Sequence, residues 1–358
     1  MSSTAIPPYP ELAGTPRISG MAPSSYLARA RRLGPGLASA GAIGGVATVV
    51  GHVAPVVGAP VVAIALGLVT VALVGERPAL APGSRVATHS LLRLAVVLLG
   101  FTMPLGLIWH TAAKSTPVML GTIAAGLLAA AAAGRLLEVR GHRRVLVAVG
   151  TAICGASAIA ATSSVIEPEE DDVAYAITVI FVFNVAAVLT FPTLGHLMHM
   201  NGQRFGLWAG TSVNDLSSVV AATSVFGHGA LSRGVIVKLA RTLMIVPITA
   251  FLGWGAARAR RRDGTLPRTG RRSLRTAVPG FLVLFVLASI VRTLGLVGAG
   301  LASAASQASL VVIAIALAGV GLSARPSHIR RAGLRPLALG ALCWAAVALT
   351  SLGLQSLR

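Results

Sequence analysis

The chain has 358 residues, of which 55% are hydrophobic and only 11% charged, whereas a soluble domain would carry about a quarter of its residues charged. That balance excludes a soluble core, with or without an anchor, and makes the lipid bilayer the main solvent. The net charge of +20 comes largely from arginines in short stretches between apolar runs, with few aromatics among them. This is the signature of loop positioning across a membrane and not of a nucleic-acid-binding stripe, so nucleic acid is excluded as a partner.

Residues 1–35, with Pro7, Pro8, Pro10, Arg29, Arg31 and Arg32, read as a flexible basic cytoplasmic tail. They lack the short apolar run and small-residue cleavage site of a signal peptide. Residues 36–358 read as a single transmembrane domain. Eleven spans follow, at 37–57, 59–75, 91–109, 116–134, 145–166, 173–198, 205–226, 235–257, 278–296, 305–324 and 337–354. The first two are separated only by Gly58 and Pro60. Loops on one side then carry Arg77 and Arg85, the group Arg135 to Arg144, Arg204, the group Arg258 to Arg272, and the group Arg325 to Arg335. Loops on the other side carry Lys114, Arg233 and the acidic EPEEDD at 167–172. By the positive-inside rule the N-terminus is cytoplasmic and the C-terminus outside, in a bacterial plasma (inner) membrane.

An odd count fits one extra helix plus two inverted five-helix repeats, approximately 59–198 and 205–354. LLRLAVVLLGFTMPLG (91–106) echoes VIVKLARTLMIVPITAFLG (235–253): a basic residue, an aliphatic run, then proline. The fifth span then pairs with the tenth, where IALAGVGLSA (315–324) repeats a small-residue break. A competing echo joins GTAICGASAIAATSS (150–164) to GTSVNDLSSVVAATS (210–224). With eleven crossings those two spans face the same way, which bars them from being inverted mates.

GTAICGASAIAATSS places Gly150 and Gly155 beside Thr151, Cys154, Ser157, Thr162 and Ser163 in an otherwise apolar span. Broken helix is tolerated at bilayer depth only where protein or a wet cavity surrounds it. There a half-helix N-terminus favours an anion. Close helix packing is the alternative reading, since small residues also line ordinary interfaces.

Of ten acidic residues only Asp215 falls inside a span, next to Asn214 in GTSVNDLSS. A carboxylate at that depth costs roughly 2.5–3.5 kcal/mol on insertion scales and marks a functional position; its structural alternative is a partner for an intramembrane arginine. Lys238 and Arg241, three apart, share a helix face. They form either an anion clamp or a pair of snorkelling side chains. Arg93 and Arg292 near span ends snorkel, and His196 and His199 close the sixth span on the inner side. No metal spacing or hydrolase motif is present, so neither a metal site nor an enzyme is expected.

Together, LLRLAVVLLGF, GTAICGASAIAA, FGLWAGTSVNDLSSVVAA and IVKLARTLMIVP resemble the YeiH-type (UPF0324-like) family of proposed sulfate exporters, over about residues 35–355. The resemblance implies a secondary carrier related to the bile-acid/sodium symporters and auxin carriers. Such carriers have a panel, a core and discontinuous crossing helices. Its family positions here are Gly150, Thr151, Cys154, Gly155, Ser157, Asp215, Lys238 and Arg241. Where relatives have a His-Asp pair, this chain has Asn214-Asp215, and asparagine does not titrate.

The expectation is therefore an all-α polytopic secondary transporter, an exporter of a small anion such as sulfate or a related oxyanion or sulfonate. Gly150, Thr151, Cys154, Gly155, Ser157, Asn214, Lys238 and Arg241 form the substrate site, and Asp215 takes the coupling Na+ or H+ or holds the cations in place. No other cofactor is expected, and a homodimer is compatible with such carriers. The rivals are an anion channel and a carrier for an organic acid coupled to Na+ or H+.

Overall fold

The computed structural model describes residues 23–53, 59–75, 77–227, 229–262, 279–323 and 334–357. Residues 1–22 of the expected tail, the Gly58 junction and the arginine-bearing stretches at 263–278 and 324–333 lie outside these. The described elements are all helical. They are α1 (Pro23–Val53), α2 (Ala59–Val74), α3 (Ala81–Val86), a π-helical turn (Ala87–Leu91) continuing into α4 (Leu92–Gly100), α5 (Leu105–Leu136), α6 (Gly141–Ala152), α7 (Ala156–Ile166), α8 (Glu170–Leu197), α9 (Gly202–Ser212), α10 (Leu216–Phe226), α11 (Ala230–Thr242), α12 (Ile245–Arg262), α13 (Gly280–Thr293), α14 (Ala299–Leu322) and, renumbered without gaps, α15 (Leu334–Ser356).

Among the described residues six segments are long and apolar enough to cross a bilayer: Arg31–Gly51, Leu105–Leu136, Glu170–Leu197, Ala230–Gly255, Ala299–Leu322 and Leu334–Ser356. Four shorter apolar helices accompany them: Ala59–Val74, Ala156–Ile166, Leu216–Phe226 and Gly280–Thr293. The chain is a multi-pass membrane protein, all-helical among the described residues.

The helices form two bundles. The first, the panel, contains α1 to α4, α13 and α14. It is packed backbone to backbone through small residues: a Cβ on Gly67 would stand 2.8 Å from the Ala318 carbonyl, and one on Gly44 2.7 Å from the Ile315 Cα. With no hydrophobic drive between helices in lipid, this close approach is what binds them. The second bundle, the core, contains α5 to α12 and α15. There Phe191 of α8 stacks on Trp208 of α9 at 4.0 Å and on Trp344 of α15 at 5.4 Å. The bundles meet where α10 lies on α2 and α14, and where α13 lies on α5.

The expected fifth and seventh spans do not cross. The ring of Phe205, in the first turn of α9, stacks at 3.8 Å on that of Phe226, the last residue of α10. In a continuous span those rings would be roughly 30 Å apart at 1.5 Å per residue. So α9 and α10 fold back on each other as a re-entrant hairpin with its tip at Val213, Asn214 and Asp215. The α6–α7 pair does the same. Arg143 at the start of α6 pairs at 2.5 Å with Asp172, just beyond α7, and a Cβ on Gly150 would touch Ile159 at 3.0 Å. Between the hairpins α8, 28 residues long, runs about 42 Å. Its Asp172 lies at the base of the first hairpin, Ile180 and Asn184 at the two tips, and Gly195 against Phe205 and Phe226 at the base of the second. The hairpins therefore enter from opposite ends of the molecule.

Several expectations change accordingly. The eleven-crossing count becomes nine long paths plus two hairpins among the described residues, and the expected crossing discontinuous helices are hairpins instead. EPEEDD shares an end with Arg143, and His196, His199 and Arg204 move to the opposite end. The described residues after 226 keep their side, because the two re-entrant segments compensate. The hairpins fall fourth within 59–198 and first within 205–354, so those two stretches are not copies of one element order. The tenth span is an unbroken helix whose small residues serve packing: Gly321 faces the Ile64 carbonyl and Gly319 faces Ala87. Both 150–164 and 210–224 contain the turn of a hairpin.

Smaller differences also have reasons. The third span ends at Gly100, and α5 begins at Leu105 behind Pro104, which has no N–H to continue a helix. The expected loop at 110–115 is helical because α5 extends to the molecular edge, where Lys114 is exposed. Residues 23–35 belong to α1 and not to a tail. The echo between the third and eighth spans persists as a shared interruption before proline, at Phe101–Met103 and at Leu243–Met244.

Candidate functional site

The two hairpin tips meet halfway along α8 and at the C-terminal end of α11. A Cβ on Gly155 would lie 3.3 Å from Asp215 Cβ. Gly155 adopts φ +65°, which favours glycine, and its open side is filled by Ile180. Gly150 likewise admits Ile159 and Ile180. The two glycines thus make the turn and the close approach.

Lys238 and Arg241 sit behind both tips. Both are fully buried. The Lys238 ammonium donates to the Ile153 carbonyl at 3.0 Å and to the Val213 carbonyl at 2.7 Å. The Arg241 guanidinium donates through Nε and Nη2 to the Ala152 carbonyl, at 2.8 and 2.6 Å, and through Nη1 to the Thr211 carbonyl. These four carbonyls close the C-terminal ends of α6 and α9. A helix C-terminus leaves its last carbonyls unpaired and carries partial negative charge. One face of α11 therefore caps two half-helices at once. Snorkelling is excluded by the burial, and the described donors hold the protein's own backbone rather than pointing into an open clamp.

The N-terminal ends of α7 and α10 differ. Asp215 caps α10: its Oδ1 accepts from the Ser218 N–H at 2.7 Å and its Oδ2 from the Ser217 hydroxyl at 2.7 Å. Asn184 of α8 supports this turn, its Oδ1 accepting from the N–H groups of Asn214 and Asp215 at 3.1 and 3.3 Å. α7 begins at Gly155 with no side-chain cap, and its first residues, Ala156 and Ser157, are exposed. Around it the Thr151 and Ser212 hydroxyls and both amide atoms of Asn214 are buried without a hydrogen-bond partner. Thr162 and Ser163 on α7 carry unpartnered hydroxyls as well. Buried polar atoms are otherwise paired in native proteins, so this concentration makes the tips the candidate binding site. Cys154 instead packs into the apolar cluster of Ala158 and Ile245.

His89, in the π-helical turn of the panel, is exposed and close enough to Asp215 of the core to interact with it electrostatically, with Arg85 and Arg93 on its own side. π-helical turns recur at functional positions. His89 and Asn184 were not among the candidates legible in the sequence, and Ser212 stood there only as a polar neighbour of Asp215. Asn184 was detectable as a lone amide in the apolar run VIFVFNVAAV; His89 lay just before an expected span and looked like loop. Arg93 lies over the Phe281 ring at 5.8 Å, and Arg292 donates to the Val297 carbonyl, both near helix ends. His196 stacks on Phe226 at the base of the second hairpin. Among the described residues no group of His, Cys, Asp and Glu forms a metal site.

Comparison with known proteins gives one consistent family. A family model described as conserved hypothetical protein 698 matches residues 35–340. A UPF0324 membrane protein of Streptococcus pyogenes serotype M6 is 38% identical over 303 residues, covering 83% of this chain and 88% of its own length. One from Fusobacterium nucleatum is 37% identical over 318 residues, covering 83% and 90%. One from Streptococcus pneumoniae strain R6 is 38% identical over 306 residues, covering 83% and 89%. No solved structure matches the chain.

Proposed function

This chain belongs to the UPF0324 membrane protein family, and from that premise we propose that it is a secondary transporter, an exporter of a small anion such as sulfate or a related oxyanion or sulfonate. The carrying observation is the pair of opposed hairpins meeting at mid-height with one helix N-terminus, that of α7, left uncapped beside unpartnered buried polar atoms.

The chemistry follows from that arrangement. The anion binds at the α7 N-terminus, where main-chain N–H groups and the helix dipole favour negative charge. Thr151, Ser157, Ser212 and Asn214 supply further donors. Lys238 and Arg241 act as positioning residues: they hold both tips in register and add positive potential from behind. Asp215 holds the second tip and is the group for a coupling Na+ or H+, with His89 the titratable group on the facing wall. Alternating access comes from the core moving against the panel, with the ligand held between.

Orientation rests on charge. Arg77, Arg85, Arg135, Arg140, Arg143, Arg144 and Arg335 gather at one end of the molecule, against Lys114, Arg204 and Arg233 at the other. The positive-inside rule makes the first end cytoplasmic, with the N-terminus inside and the C-terminus outside a bacterial plasma membrane.

The test is uptake into proteoliposomes, following a thermal-shift panel of sulfate, sulfite, sulfonates and carboxylates. The proposal expects saturable flux of the stabilising anion that responds to a proton or sodium gradient. Flux that neither saturates nor responds to any gradient would establish a channel instead, and a carboxylate as the sole stabilising ligand would establish an organic-acid carrier.

A further inference from the structure

α7 exposes one face along most of its length. Ala156, Ser157, Ala160 and Ser164 are exposed, while Ala158, Ile159 and Thr162 on the other side are buried. Positions 156, 160 and 164 are four apart, so they form one stripe from the hairpin tip toward its base. Lipid is not what the tip end of this stripe meets. α7 starts without a side-chain cap, its first N–H groups have no intrahelical partner, and hydrocarbon cannot satisfy them. That end therefore fronts water or a polar ligand. Beside it stand the unpartnered Thr151 and Ser212 hydroxyls and the Asn214 amide, whose residues are 2%, 1% and 1% exposed.

The panel presents a cationic face. Arg85 of α3, His89 of the π-helical turn and Arg93 of α4 are exposed at intervals of four, while Gly83, Ala87 and Leu92 of the same segment are buried. His89 interacts electrostatically with Asp215 of the second tip and with both arginines, which sets the middle of the row at the depth of the tips. Arg85 leads from there toward the end of the molecule that bears Arg77 and Arg140.

Among the described residues, the main contacts between the bundles lie on the other side of the tips. α10 runs from Asp215 to the base of the second hairpin and lies on α2 and α14, with Ser217 to Thr223 buried. The Leu105 N–H of α5 donates to Thr293 Oγ1 of α13 at 2.8 Å, also at that end. α7 packs instead on α6, α8 and α12, all of the core.

We propose that the exposed face of α7 and the Arg85–His89–Arg93 row are the two walls of a water-filled anion passage, which runs from the tips to the end that bears Arg140 and is closed beyond the tips by α10 against α2 and α14. The inference rests on the reading of the tips as the anion site and adds the route by which the anion reaches them. Small side chains on one wall leave room, and cations on the other raise the local concentration of anions.

The experiment uses the full-length protein in sealed vesicles of either orientation. Single cysteines are placed by Ser157→Cys, Ala160→Cys or Ser164→Cys, with Arg140→Cys as the marker of sidedness. The parent, whose Cys154 and Cys343 are buried, is the blank. The probes are an anionic and a cationic methanethiosulfonate, each normalised to its rate with a free thiol. The proposal expects all three α7 cysteines to react from the side that labels Arg140→Cys, with the anionic reagent favoured about tenfold. Adding Arg85→Gln or Arg93→Gln, each at an exposed position, should cut that preference at least about threefold. A thiol against lipid stays protonated and does not react, so silent α7 cysteines overturn the proposal. Labelling from the opposite side overturns it too, as does the absence of a charge preference or one that neither substitution changes. None of these readouts needs transport. Gradient-responsive flux with silent α7 cysteines strikes the passage alone, and labelled α7 cysteines without flux strike the transport reading alone.

Discussion

The two hairpins are built alike and finished differently. Each is a pair of helices of 11 or 12 residues. Each has its first helix closed from behind by Lys238 and Arg241, and each turns at mid-height. In the second hairpin the following helix starts at Asp215, whose carboxylate serves its own N-terminus with the help of Ser217, Ser218 and Asn184. In the first, the following helix starts at Gly155 and receives no side chain. The difference shows how a helix N-terminus can be left available by omission. The dipole and free N–H groups are present in both, and only the α7 N-terminus is left without a side-chain cap, which is what the proposed anion site rests on.

The comparison can be broken at its largest scale by topology. With single cysteines at Asp171 and at Arg204 labelled from either side of the membrane, the hairpins expect Asp171 to share a side with Arg140 and Arg204 to lie opposite. Two crossing spans would expect the reverse for both. Next in size is Arg241→Ala, which strips the donors from the Ala152 and Thr211 carbonyls. It should lower stability by at least about 3 kcal/mol and abolish ligand-induced stabilisation. An unchanged anion response in a thermal-shift assay would remove Arg241 from the mechanism.

Ala156→Asp is designed to make the two hairpins equivalent. Because Ala156 is exposed, the carboxylate should change stability by less than about 1 kcal/mol, yet eliminate anion binding at the tips. Retained transport would mean that the α7 N-terminus is not the site. The smallest effect is expected from Asp172→Asn at the base of the first hairpin. The Arg143 and Asp172 side chains are 47% and 12% exposed, so the pair contributes about 0.5–1 kcal/mol. Salt should erase the difference between variant and parent in thermal melts.

The site itself was only partly readable. Gly150, Gly155, Asp215, Lys238 and Arg241 stood out because each violates the local apolar pattern, and the structure gathers all five. Their roles were not readable. Lys238 and Arg241 look like a ligand clamp on a helical wheel, since the wheel displays which face they share and not which carbonyls wait there. Asn184 and Ser212 acquire meaning only when the second tip folds against α8, and His89 only when the panel closes on the core.

Composition alone made this a membrane protein, and the small-residue breaks alone located its centre. The choice between crossing and turning back belonged to the tertiary structure. A helix of about 25 residues and two of half that length folded together bury the same apolar residues, so hydropathy cannot separate them. The charge alternation was blind as well, because two hairpins entering from opposite ends cancel in the count. Contacts between residues far apart in the chain, Phe205 with Phe226 and Arg143 with Asp172, made the decision.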